Sequence, residues 1–136
     1  MANRFYQKGV QHFEQGDISL TSNNIKCVLV SSAYTPATGT SGDEFLSTIT
    51  GASAVVATSP NMASKSCAGG VFTAANLTFS SVSGAQVLYV VMYQDTGSAS
   101  TSQLICIFDT ANNLPVTPNG GNITIQWDPT NGIFIL

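Results

Sequence analysis

Two nearly continuous apolar runs, Val87 to Tyr93 and Leu104 to Phe108, flank a polar loop that opens with Asp95-Thr96-Gly97. Both runs are rich in β-branched and aromatic residues and too short for an independent helix, so they read as strands. The loop is of hairpin size, which pairs the strands antiparallel. Because the runs are continuous rather than alternating, both faces of this ribbon are expected to be covered. A helix is predicted over Asn3 to Gln15, with Asn3 as its cap, Phe5, Gly9 and Phe13 at i, i+4 and i+8, and Gly16 ending it. A mid-helix glycine costs about 1 kcal/mol against alanine, so Gly9 points to close backbone packing.

The segments Asp17 to Thr21 and Ile25 to Ser31 flank the turn-forming triplet Ser22-Asn23-Asn24 and read as a hairpin. In its second strand Ile25, Cys27 and Leu29 share one face, and Lys26, Val28 and Val30 the other. A loop over Ala33 to Gly42 leads into an expected short helix, Ser41 to Leu46, capped by Ser41 with Asp43 and Glu44 in its first turn. Short strands are expected at Ala54 to Thr58, Lys65 to Ala68, Gly70 to Thr73 and Leu77 to Ser81. Asn122 to Trp127 alternates, with Ile123, Ile125 and Trp127 on one face. Asp128-Pro129-Thr130-Asn131-Gly132 forms a hairpin loop, and the apolar Ile133 to Leu136 must be paired and covered. Strands at roughly ten-residue spacing predict a mainly β fold. The expected architecture is a single-domain antiparallel β-sandwich or barrel with a short N-terminal helix and one short internal helix. Residues 1–16 form the helical segment and 17–136 the β core.

Composition changes what the surface can be. The 136 residues are 43% hydrophobic but only 8% charged, against about 25% charged in ordinary domains. The exterior must therefore consist largely of Ser, Thr, Asn, Gln and Gly. Long charged side chains lose most entropy when immobilised, so such a surface suits one held against neighbours. The net charge of −3 and the scattered cations Arg4, Lys8, Lys26 and Lys65 argue against nucleic acid or an anionic membrane as partner. The first residues carry no apolar leader pattern, so synthesis and first folding in a cytosol are expected. Cys27, Cys67 and Cys106 are odd in number and widely spaced, as for buried reduced thiols rather than a disulfide framework or zinc site.

No catalytic constellation emerges, and the chain is expected not to be an enzyme and to need no cofactor or metal. His12 is the only histidine and falls in the predicted helix, where a surface or capping role fits it better than catalysis. Asp43-Glu44 suits a helix N-terminus. Asp128 to Gly132 lacks the alternating acids of a calcium loop. Tyr89, Tyr93, Phe108 and Trp127 could line a sugar site, although aromatic residues at strand spacing more often fill a core.

Several pieces in order resemble small virion structural proteins of tailed bacteriophages. They are Lys8-Gly9 with Phe13, Gly16-Asp17-Ile18, Ile25 to Val30, Glu44-Phe45-Leu46, Tyr93 to Gly97, Leu114 to Gly121, Ile123 to Asp128 and Gly132-Ile133-Phe134. Cys27 departs from the aliphatic residue expected there. The resemblance implies a capsid decoration or cement protein of the virion, whose partners are other virion proteins, the major capsid protein first, and copies of itself. A neck, tail or fibre component and a carbohydrate-binding β-sandwich are the alternatives. Contacts are expected from Arg4, Phe5, Tyr6 and Phe13 near the N-terminus, and from Tyr34, Asp95 and Thr96 in loops.

Overall fold

A computed structural model describes residues 3–110, 114–128 and 132–135. In chain order its elements are β1 (Arg4–Phe5), α1 (Gln7–Glu14), β2 (Asn24–Val30), α2 (Ser47–Gly51), β3 (Val55–Thr58) and β4 (Ser66–Ala68). There follow β5 (Val71–Thr73), β6 (Leu77–Phe79), β7 (Tyr89–Asp95), β8 (Leu104–Phe108), β9 (Ile123–Ile125) and β10 (Phe134–Ile135). The main sheet runs β1-β8-β7-β2-β3, and two smaller sheets run β10-β5-β4 and β6-β9. Every pairing is antiparallel. The main sheet ends in edge strands β1 and β3, so the mainly β domain is sandwich-like and not a closed barrel.

The predicted central ribbon is present: β7 pairs β8 with Val90 opposite Phe108 and Met92 opposite Cys106. Its other neighbour is β2, in register from Asn24 opposite Asp95 to Val30 opposite Tyr89. Both faces of these strands are buried, as continuous hydrophobicity requires. On one face Cys27, Leu29, Val90, Met92 and Cys106 pack with Phe72, Leu77, Phe79 and Ile125 of the small sheets. On the other, Val28, Val30, Val91, Tyr93 and Ile107 pack with Tyr6, Tyr34, Leu46 and Ile49.

The β7–β8 register shifts between Met92 and Tyr93, because Ile105 is an extra residue in β8. Such a bulge bends its strand, and here the helix sits on it. The Tyr6 N–H donates to the Ile105 carbonyl at 3.0 Å. A Cβ built on Gly9 would lie 2.3 Å from the Leu104 carbonyl oxygen. The close backbone approach expected at Gly9 is therefore what allows α1 to lie on β8. Past α1, the Gly16 N–H donates to the Phe13 carbonyl and the Asp17 N–H to the His12 carbonyl, closing the helix with a Schellman pair of bonds.

Three expectations are corrected. The helix starts at Gln7, not Asn3, because Arg4–Phe5 pairs with β8. The Asn3 Oδ1 accepts instead from the N–H groups of Asp109 and Thr110, at 2.9 and 3.2 Å. Asp17 to Thr21 is not a strand: both edges of β2 are occupied, by β7 and β3, leaving no place for a hairpin partner. The internal helix is Ser47–Gly51 rather than Ser41 to Leu46. The Glu44 carbonyl accepts the Leu104 N–H at 2.9 Å, which holds that segment extended along β8. The strands expected between Ala54 and Ser81 are present with slightly narrower bounds. The interior of the loop after Asp128 and the terminal Leu136 lie outside the described residues, but Phe134 does pair, opposite Phe72.

Candidate functional site

Two polar networks tie one covering of the main sheet together. His12, 9% exposed, projects from the last turn of α1. Its Nδ1 lies 2.8 Å from Asp17 Oδ2 and its Nε2 2.8 Å from Glu44 Oε1. Both ring nitrogens are thus held by carboxylates, and neither is left to take a proton from a nucleophile. His12 fastens the end of α1 to the extended segment before α2. It is neither the surface residue nor the cap expected of it. Asp43, expected in a helix N-terminus, accepts instead from the Tyr34 hydroxyl and the Ala37 N–H. Tyr34 shares a 2.8 Å hydroxyl–hydroxyl bond with Tyr6. Burial, the largest cause, raises the pKa of both tyrosines well above the ordinary phenol value. They remain neutral hydrogen-bonding groups, and their surroundings suit structure rather than acid–base work.

The residues expected to make contacts divide. Tyr6 and Tyr34 lie inside the fold, 0% and 3% exposed. Phe5 and Phe13 are half-buried, and Phe5 stacks edge-on against Phe134 with ring centroids 4.9 Å apart. Arg4 and Thr96 are exposed. Asp95 is paired with Lys26 at 2.8 Å and accepts the Gly97 N–H. The Lys26 ammonium and then that N–H hold its carboxyl below the usual range. The Thr96 hydroxyl contacts the Ser102 hydroxyl at 3.2 Å, so the 95–102 loop is internally braced. Burial, helped by Asp95, pushes Tyr93 up to about 12.

The opposite covering is different. No charged residue occurs between Lys65 and Asp95, nor between Asp109 and Asp128. Those two stretches contain β4, β5, β6 and β9. Pairing β6 with β9 brings the two stretches side by side, while β4 and β5 belong to the other small sheet. Leu77, Phe79 and Ile125 point into the core, while Thr78 and Thr124 stand opposite each other outside, hydroxyls 3.2 Å apart. Ser66, Thr73, Ser80 and Asn122 are exposed with them. The result is an exterior of hydroxyls and amides without a charge. The gaps in charge were readable in the sequence; that they meet on one face depends on strand pairings between distant segments.

Cys27 and Cys106 are buried as expected, and burial raises both thiols. Cys67, on β4, is exposed instead. Trp127 lies half-buried against Phe108, ring centroids 5.6 Å apart, and borders two pockets of about 440 and 370 Å³. Among the described residues no group of three His, Cys, Asp or Glu side chains could hold a metal ion, and no helix is long and apolar enough to cross a membrane. No protein-family model matches the chain, and no curated protein matches it.

Proposed function

We propose that this chain is a non-enzymatic structural protein of a phage virion, a capsid decoration subunit that docks on the shell through its charge-free layer. The observation that carries the reading is the uncharged exterior of the small sheets, where Thr78 and Thr124 stand opposite each other. Burying an unpaired charge is costly, and interface cores are correspondingly depleted in Lys, Glu and Asp. Short hydroxyl side chains lose little rotamer freedom on contact and can satisfy their hydrogen bonds across an interface. Many such weak contacts repeated by shell symmetry hold a subunit without one strong site. The resemblance to small virion proteins supports the same reading, with the major capsid protein and copies of this chain as partners. The two polar networks on the other face are already satisfied internally, which supports a structural role for them.

Quantitative mass spectrometry of purified virions tests this. A decoration subunit is expected in hundreds of copies, whereas a neck ring or tail component is expected near a dozen. Virions lacking the chain should lose heat resistance. A copy number near a dozen would move the chain to the neck or tail, and its absence from virions would overturn the reading altogether.

A further inference from the structure

The charge-free layer ends at Trp127, where the surface becomes concave. Trp127 borders a pocket of about 440 Å³ walled also by Thr73, Asn76 and Asp128, and a second, of about 370 Å³, walled also by Asn3, Thr110 and Gln126. The two share Trp127, Asp128 and Gly132. Each volume falls within the range of small-ligand sites.

The walls are held by specific bonds. Asn76 Oδ1 accepts the Trp127 backbone N–H at 3.1 Å, which fixes both residues and leaves the Asn76 Nδ2 as a donor. The Gly132 N–H donates to the Asp128 carbonyl at 3.0 Å, and the Ile133 N–H to the Phe72 carbonyl at 2.7 Å. A Cβ at Gly132 would come within 2.5 Å of Val71 Cγ1 and 2.8 Å of the Phe72 carbonyl oxygen, so only glycine lets this turn lie so close to β5. Among the described residues the lining contains one carboxylate and no cation, which disfavours an anionic ligand. It offers an aromatic surface, amide donors and acceptors, and hydroxyls. That combination matches a ligand with apolar C–H faces and a rim of neutral hydroxyls.

We propose that the cleft around Trp127 binds a neutral saccharide, a function separate from docking on the shell. The sugar stacks on the indole while its hydroxyls meet Asn76 and Thr73.

Trp127 is the only tryptophan, so fluorescence excited selectively from tryptophan over the four tyrosines reports on this site alone. Neutral mono- and disaccharides should shift its emission saturably, and glucuronate should not. Asn76→Asp keeps the acceptor for the Trp127 N–H but removes the Nδ2 donor; it should weaken binding about tenfold, equivalent to about 1.4 kcal/mol, without changing the circular dichroism. Trp127→Phe, followed by saturation-transfer NMR, should retain a weaker interaction. Retention on a neutral polysaccharide without response to free sugars supports the site with a chain segment as ligand; the reverse supports it with a free sugar. If no neutral saccharide or polysaccharide binds, or if Asn76→Asp binds as the wild type does, the proposal is overturned.

Discussion

The main sheet is covered twice, by different means. On the face of Val28, Val91 and Ile107 the cover is a short helix and extended segments, located by buried polar bonds through His12, Tyr34 and Asp43. On the face of Leu29, Met92 and Cys106 it is a pair of small sheets, located by apolar packing through Phe72, Phe79 and Ile125. Irregular segments bury little apolar area each, so directional bonds must fix them. Strands fix one another through their ladders and leave an outer face with no internal task. Charges follow the first kind of cover and are missing from the second. The difference separates a cover located by directional bonds from one located by packing.

The largest effect should come from the apolar seam. Phe72 is 1% exposed between the main sheet and β10. Phe72→Ala should cost about 3–5 kcal/mol in chemical denaturation. A loss below about 1 kcal/mol would mean that the small sheets are not held by packing. Next is the helix seat. Gly9→Ala drives a methyl into the Leu104 carbonyl and should cost about 2–3 kcal/mol, as overpacking does, although alanine is the better helix former.

The polar seam should follow. Tyr34→Phe removes the shared partner of Tyr6 and Asp43 and should cost about 1–3 kcal/mol, since the buried Tyr6 hydroxyl loses its partner and Asp43 keeps only the Ala37 N–H. Tyr6→Phe, at the end of the chain of bonds, should cost less. A Tyr34→Phe protein as stable as wild type would show that the two covers do not differ as described. Smaller still is the Lys26–Asp95 pair, with side chains 27% and 19% exposed. The Asp95 carboxyl is held below its ordinary value, so its contribution is present above the unfolded carboxylate range and is lost as pH falls through the lowered folded value. Asp95→Asn should therefore lower stability at neutral pH by less than about 1 kcal/mol and flatten the acid limb of the stability profile. An unchanged acid limb would remove the pair from the account.

Legibility in the sequence followed the range of the interactions. The β7–β8 ribbon was readable because its two runs adjoin and their continuity announces burial on both sides. The packing at Gly9 was readable because a glycine inside a helix needs a reason. The start of the helix was misread because Arg4 and Phe5 take a strand pairing about a hundred residues distant in sequence, with Ile107 and Cys106. The segment from Asp17 to Thr21 was misread because nothing local reveals that β2 has two partners. Ser41 to Leu46 has good helix-capping chemistry, yet His12 and Tyr34 use its acids elsewhere. The charge-free layer was half readable: the gaps lie in plain sequence, but only the pairing of Thr78 with Thr124 brings them onto one surface.

The most direct test of that surface is a double substitution, Thr78→Lys with Thr124→Lys. Both side chains are exposed, so each single substitution should change stability by no more than about 0.5 kcal/mol, with a further small loss in the pair because the two lysines stand opposite across β6 and β9. Occupancy in purified virions, measured by quantitative mass spectrometry against Thr96→Lys in the braced loop as control, should fall about tenfold or more for the double variant and stay at wild type for the control. Full occupancy of the double variant, or an equal loss in the control, would contradict the assignment of the uncharged layer as the docking face.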